Sequence, residues 1–330
     1  MPQRRHKVIY DTDPGVDDAM ALYFALAHPA IDLIGIGTTF GNVTVGQAAL
    51  NALYLTTIAG RNIPVTTGIA KPLRLPMQTP PAHIHGIDGL GNLPDRLPVR
   101  RRLDPRSSAR FIVDMARAQP GEISVVAVGP LGNLSLALDL EPDLPRLLRQ
   151  VIVMGGTLTE PGNVSPVAEA NIWCDPHAAA DVFNAGWKVT MVGLDVTHRV
   201  ILPLSLFEKF AARHQHPATD TLLHAVRFYA DFYSQRHPRV AAIRGCFGHD
   251  LLAFIYLVNP ELFSTRSGRI SISTELPTLG QTTLDNAAMS DSGLAIQESP
   301  PCLSQACTEV DAEACVTGFE QALMGRWLEP

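Results

Sequence analysis

Short apolar runs alternate with segments of helical period along most of the chain. Val8-Ile9-Tyr10 reads as a buried strand, and the apolar stretch 19–27 behind it reads as a buried helix. Further strands are predicted over 31–39 and 64–68, with a helix over 45–59 between them. Residues 70–107 hold no periodic segment and are rich in Pro, Gly and His, the mark of a long functional loop. Regularity returns with a helix at 107–118, a strand at 123–128, a helix from the Gly129-Pro130 turn to 138, and a strand at 150–154. An irregular stretch runs to Asn171. Asp175-Pro176 then opens a helix to about 184, with Asp as N-cap and Pro in the first turn. A strand follows at 189–194, helices dominate 203–258, strands are read at 270–274 and 276–283, and a last helix at 312–327. The stretch 286–308 is polar and weakly patterned. This alternation predicts an α/β fold: a mostly parallel central sheet with helices on both faces, in an open Rossmann-like architecture. No repeat or linker interrupts it, so 1–330 is read as one domain.

Composition narrows the function classes. A formal net charge of −6 argues against nucleic acid as a partner, and no basic block exceeds Arg100-Arg101-Arg102. No window approaches the roughly 20 apolar residues needed to span a bilayer. The basic start leads into a strand interrupted by aspartates rather than a signal peptide, which predicts a cytoplasmic protein. Five cysteines show no CxxC spacing and read as reduced thiols.

The chemistry gathers at strand ends. The first strand runs into Asp11-Thr12-Asp13-Pro14-Gly15-Val16-Asp17-Asp18, four carboxylates in eight residues. Ionised together they repel one another unless a cation or hydrogen-bond donors compensate; a helix cap needs only one of them. The second strand leads to Asn42, the strand at 123–128 ends where the Val128 carbonyl can be left unpaired, and the strand at 150–154 leads to Asn163, Glu169 and Asn171. In an open parallel sheet these ends share one rim. Carboxylates and carbonyls without a Cys/His cluster specify a hard cation, Ca²⁺ before Mg²⁺. Spare carboxylates and amides suit a ligand with several hydroxyls.

The acidic turn resembles the signature of the inosine–uridine-preferring nucleoside hydrolases. Phe40-Gly41-Asn42-Val43-Thr44, His85-Gly86-Ile87-Asp88-Gly89-Leu90-Gly91, Val128-Gly129-Pro130-Leu131-Gly132-Asn133-Leu134, Met154-Gly155-Gly156, Gly162-Asn163, Ala168-Glu169-Ala170-Asn171-Ile172, Asp175-Pro176, Gly193-Leu194-Asp195-Val196-Thr197 and His249-Asp250 follow in the family's order, covering about 7–260. The resemblance implies a nucleoside-hydrolase-like fold, often homodimeric or homotetrameric, that hydrolyses the N-glycosidic bond of ribonucleosides with Ca²⁺, in nucleoside salvage or catabolism. By position, Asp13, Asp18, the Val128 carbonyl and Asp250 hold the ion, and Asp13 is also the general base for the water it activates. Asp17, Asn42, Asn163, Glu169 and Asn171 grip the ribose; His85, Tyr233 and His249 lie at the base, with His249 the acid for the leaving group. Gly132 stands where the family often has Thr or Ser, and Ala170 where many relatives carry Phe, which widens the pocket.

Other polar residues read as structural. Asp11, and Asp195 with Thr197, orient the turns from behind; Asn133 is a cap; Trp173 is a pocket-or-core residue. His214, His216 and His237 read as solvated. Two rival functions remain. A Mg²⁺-dependent Asp-x-Asp phosphohydrolase, resembling haloacid-dehalogenase-like enzymes, needs a downstream lysine and a second acidic pair, and neither Lys188 nor Lys209 sits in such a setting. A non-catalytic nucleoside- or ribose-binding protein has no need of both Asp13 and His249.

Overall fold

The computed structural model describes residues 5–285 and 304–328. Its strands, in chain order, are β1 (His6–Thr12), β2 (Ile31–Thr38), β3 (Val65–Thr67), β4 (Asp104–Ser107), β5 (Ile123–Ala127), β6 (Gln150–Met154) and β7 (Val189–Val192). They continue with β8 (Ile201–Pro203), β9 (Gly245–Phe247), β10 (Phe263–Ser267), β11 (Arg269–Ile272), β12 (Thr282–Asp285) and β13 (Gln305–Val310). Nine of them form one sheet in the order β10-β13-β7-β6-β5-β1-β2-β3-β4, parallel throughout except for the antiparallel β10–β13 pair. The mostly parallel α/β architecture expected from the sequence is the one observed.

β1 is apolar without alternation because helices cover both faces of the sheet. Val8 and Tyr10 point into one core, with helices Val16–Ala27, Pro217–Ser234 and Leu251–Val258; Ile9 points into the other, against Phe111 and Ile112. From β1 the chain winds outward through β2, β3 and β4, then returns to start β5 on the other side of β1. The winding therefore reverses at β1/β5, and ligands of open α/β sheets bind at the carboxyl ends of the strands flanking such a switch point. Backbone hydrogen bonds lock that rim: Val128 N donates to Asp11 O at 2.8 Å and Thr39 N to Thr12 O at 3.0 Å.

The packing beneath the rim is tight. A Cβ on Gly35 of β2 would lie 2.3 Å from the Phe111 ring. Gly35→Ala is expected to destabilise the fold by about 1–3 kcal/mol through overpacking, read as a lower midpoint in urea unfolding.

Departures from the sequence reading fall in polar segments. β4 lies inside 70–107, and β10 and β13 form the far edge. Only Phe263 of β10 is buried, and only Ala306 and Cys307 of β13, so neither carries a strong apolar signal. The small antiparallel β8–β9 pair brackets the helices of 204–243 within the region read as helical over 203–258. The strand read over 276–283 is confined to β12, because Pro277 and Gly280 (φ +79°) form the connecting turn to β11. Residues 286–303, most of the weakly patterned stretch, lie outside the described residues.

Candidate active site

The acidic turn closes the C-terminal end of β1 and starts helix Val16–Ala27. Gly15 is the N-cap, and its N–H donates to Asp18 Oδ2 at 2.9 Å. Asn42 Nδ2 donates to the same oxygen at 3.0 Å, and the Thr12 hydroxyl donates to Asp18 Oδ1. Asp13 Oδ2 accepts from the Asn42 N–H at 2.6 Å, whereas Asp13 Oδ1 and Asp17 Oδ1 are buried without a hydrogen-bond partner. Only glycine fits beside Asp13: a Cβ on Gly41 (φ +152°) would lie 2.0 Å from Oδ2, and one on Gly129 2.4 Å from Oδ1.

Asp250, at the start of helix Leu251–Val258, comes to the same turn. Asp17, Asp18 and Asp250 offer carboxylate oxygens that lie within 4.8 Å of one another, all buried. Burial, then mutual repulsion, pushes the carboxyls of Asp13, Asp17 and Asp250 up, Asp17 to about 8; burial alone drives Asp18 upward, against its donors. Orphaned buried oxygens and an all-oxygen donor set fit a divalent cation. The trio closest together differs from the set expected from the sequence by having Asp17 where Asp13 was assigned. The Val128 carbonyl is also not free: it accepts from Asn171 Nδ2 at 2.7 Å, which leaves it one further lone pair.

These shifts set a pH dependence for the metal-free protein. A carboxyl whose native pKa is raised above its unfolded value holds its proton more tightly when folded, so stability falls as pH rises through the window between the two values. Burial holds Asp11 at about 7, and burial and Asp18 hold Asp17 at about 8. Chelated protein is expected to lose thermal stability steadily from pH 5 to pH 8, and saturating cation to remove most of that slope. Thermal melts with and without chelator measure both.

Above the turn opens a cavity of about 1070 Å³. Its lining includes Asp17, Asn42, His85, Val128, Asn163, Glu169, Asn171, Tyr233, His249 and Asp250, all singled out in the sequence. Asp13 and Asp18 are not in the lining; they are 0% and 1% exposed. The polar wall is partly committed to backbone. Glu169 caps helix Ala170–Cys174, Oε1 accepting from Asn171 N at 2.9 Å and Oε2 from Gly156 N at 2.9 Å and Ile172 N at 3.1 Å. Asn163 Oδ1 accepts from Ala170 N at 2.9 Å.

The opposite wall is aromatic. His249 Nδ1 lies 2.8 Å from Thr197 Oγ1 and Nε2 lies 3.1 Å from the Tyr233 hydroxyl, which is 3.4 Å from that of Tyr229. Burial and the neighbouring histidines push the His249 imidazole well down, so it is neutral. His85 is also neutral, held by burial at about 3; its Nδ1 accepts from Val16 N at 3.2 Å and its ring packs 5.2 Å from Tyr229.

Sequence reasoning passed over Tyr229, His198 and Phe247, which line this wall. Tyr229 had a legible signal, since it and Tyr233 are four residues apart on helix Pro217–Ser234 and share its face. His237 is half-buried and lines the wall, its ring 5.2 Å from Phe247. Trp173 stands outside the lining, its backbone against the Gly280 turn. The supporting residues sit behind the rim. Asn133 Nδ2 donates to Asp11 Oδ1 at 2.7 Å, and Asp195 accepts from Leu158 N and Thr159 N, each at 2.7 Å.

A switch-point cavity with a carboxylate floor, an amide wall and an aromatic wall suits a small ligand that carries both hydroxyl groups and a flat ring. The chain matches the family described as inosine-uridine preferring nucleoside hydrolase over residues 8–317. It is 38% identical over 322 residues to the probable uridine nucleosidase 2 of Arabidopsis thaliana, 97% of this chain and 98% of that one. It is 35% identical over 284 residues to the inosine-uridine preferring nucleoside hydrolase of Leishmania major, 84% of this chain and 87% of that one. The solved purine-preferring ribonucleoside hydrolase from Gardnerella vaginalis is similar at a TM-score of 0.90 and 31% identity, covering 98% of this chain and 100% of that one. The chain therefore belongs to the inosine-uridine preferring nucleoside hydrolase family. Its chemistry is hydrolysis of the N-glycosidic bond, with a small-molecule nucleoside as substrate. Among the described residues no helix is long and apolar enough to cross a membrane.

Proposed function

We propose that this single-domain chain hydrolyses uridine, and with it cytidine or inosine, to ribose and free base with Ca²⁺, in nucleoside salvage or catabolism. The observation that carries the reading is the pair of orphaned buried oxygens, Asp13 Oδ1 and Asp17 Oδ1, beside Asp18 and Asp250 at the cavity floor. Oxygen donors alone favour calcium. Asp13, Asp18, Asp250 and the second lone pair of the Val128 carbonyl hold the ion. When bound, it supplies Lewis acidity that acidifies a water molecule and offsets the carboxylate charge.

Asp13 Oδ1, with no other partner, accepts a proton from the attacking water. Asp17, Asn42, Asn163, Glu169 and Asn171 orient the ribose hydroxyls. The surrounding negative charge stabilises the oxocarbenium-like sugar of the transition state. His85 and Tyr233 lie along the base, and His249 is the acid for the leaving group: neutral in the resting site, it takes up a proton from solvent before passing it to the departing base, since a nucleobase departs poorly as an anion. The printed names of the uridine nucleosidase relatives favour uridine.

His249→Ala is expected to slow uridine hydrolysis about 10²-fold. It should barely affect a p-nitrophenyl riboside, whose leaving group needs no proton. An unchanged uridine rate removes His249 from the mechanism. The phosphohydrolase rival lacks its lysine: none of Lys71, Lys188 and Lys209 lines the cavity, and Lys209 pairs with Glu320 at 3.1 Å. We place the protein in the cytoplasm as a homodimer or homotetramer. Light scattering of the purified chain tests it, and a monomeric mass rejects it.

A further inference from the structure

Asn51 takes no part in the proposed chemistry, yet it is completely buried on helix Val45–Ile58 and all of its hydrogen-bonding capacity is used. Its Nδ2 donates to the carbonyls of Pro14 and Asp88, each at 2.8 Å. Its Oδ1 accepts from Arg96 Nη1 at 2.7 Å and from Gln47 Nε2 at 2.9 Å. Pro14 lies in the acidic turn, between Asp13 and Gly15. Asp88 lies in the loop that carries His85.

A second contact joins the same two segments, the Val16 N–H donating to His85 Nδ1 at 3.2 Å. Between the two links the fit is close: a Cβ on Gly89 (φ +80°) would lie 2.8 Å from both Asn51 Nδ2 and Pro14 O. The loop is braced as one unit. The Asp88 carboxylate accepts from Leu90 N at 2.9 Å, Asn92 N at 2.8 Å and Leu93 N at 2.9 Å, and pairs with Arg96 at 2.8 Å. A unit braced internally and tied to the turn at these two points moves with it.

We infer that Asn51 is a positioning residue that couples the carboxylate turn to the His85 loop, so that loosening one loosens the other. A neutral amide suits the place. A charge there would be buried, and an apolar side chain would leave the Pro14 carbonyl without a donor and the Asp88 carbonyl with Arg96 Nη2 alone, at 3.2 Å. The consequence for catalysis rests on the nucleoside hydrolase reading: the ribose-binding floor and the base-side wall of the cavity are held in one fixed relation. The coupling itself does not depend on that reading.

The test compares wild type, Asn51→Leu and Leu55→Ala by amide hydrogen exchange without cation. Leu55, one turn along the same helix and buried in the apolar core, controls for general loss of stability. In Asn51→Leu, Gly15 and Val16 and the amides of 86–93 are expected to exchange together about tenfold faster than in wild type, relative to the core helices. In Leu55→Ala these segments keep their protection relative to those helices. Acceleration of only one segment, or the same pattern in both variants, overturns the coupling. Asn51→Ser retains one donor and serves if Asn51→Leu fails to fold; the same paired pattern is expected at smaller amplitude. On uridine, Asn51→Leu is expected to raise KM about tenfold with a smaller change in kcat, and Leu55→Ala to leave KM unchanged. Absence of sugar release by the wild type overturns the functional reading, while the exchange comparison still decides the coupling.

Discussion

Asp13→Asn lowers kcat by roughly 10³–10⁴-fold and leaves the fold in place. The two side chains have the same shape, and the site fixes which way the new amide turns. The Asn42 N–H points at Asp13 Oδ2 from 2.6 Å, so the amide oxygen takes that position and the NH₂ faces the place of Oδ1. The one atom free to accept a proton from water becomes a donor. The space permits no compensating shift, since Gly41 and Gly129 press against the carboxylate from two sides. Circular dichroism should match wild type while base release from uridine falls below detection in an ordinary assay. A variant retaining a tenth of the rate would place the base elsewhere, with Asp17 the first alternative because its Oδ1 is also unpartnered.

Asp250→Asn abolishes turnover and, without cation, stabilises the protein. Asp250 is 3% exposed, its carboxyl driven up by burial and by Asp17, Asp18 and Asp13. Removing one buried charge from a repelling group relieves part of that penalty, and the new amide can donate to Asp18. Replacement of unfavourable buried charge is typically worth about 1–4 kcal/mol, which is several degrees in Tm for a domain of this size. In excess Ca²⁺ the order reverses, because the wild type gains binding free energy that the variant lacks. Thermal melts of both proteins in chelator and in Ca²⁺ read the crossover. A variant less stable than wild type in chelator would mean that the carboxylates are compensated by protein donors alone and the cluster is not built for an ion.

The sequence carried the switch-point end of the sheet clearly. Val8-Ile9-Tyr10 is apolar on both faces, and the acids that follow it have no place in a core, so strand and site were read together. Asp175-Pro176 likewise announced its helix, with Asp175 Oδ1 accepting from Ala178 N at 3.2 Å. Strand β10 was not legible because an edge strand facing solvent needs little apolar side chain, and the inner strand β13 because only Ala306 and Cys307 of it are buried. In the site, residue types indicated a hard cation and a polyol, but spacing does not tell which carboxylates converge. Only the folded turn brings Asp17 to Asp18 and Asp250. Glu169 shows the other limit: the sequence marks it as a polar group at the rim, whereas its three backbone donors, which also make it a helix cap, appear only in three dimensions. The aromatic wall was half legible, since Tyr229 follows from the position of Tyr233 on a helix, but His198 and His237 depend on the β8–β9 pairing and the short helix beside it.

The decisive measurement is base and ribose release from uridine by purified protein that has been stripped with a chelator and then reloaded. Stripped protein should be inactive, Ca²⁺ should restore release of equal amounts of uracil and ribose, and Mg²⁺ should restore less. Full activity in the stripped protein, or no release of sugar from uridine, cytidine or inosine with Ca²⁺ present, would contradict a calcium-dependent nucleoside hydrolase built on Asp13, Asp18 and Asp250.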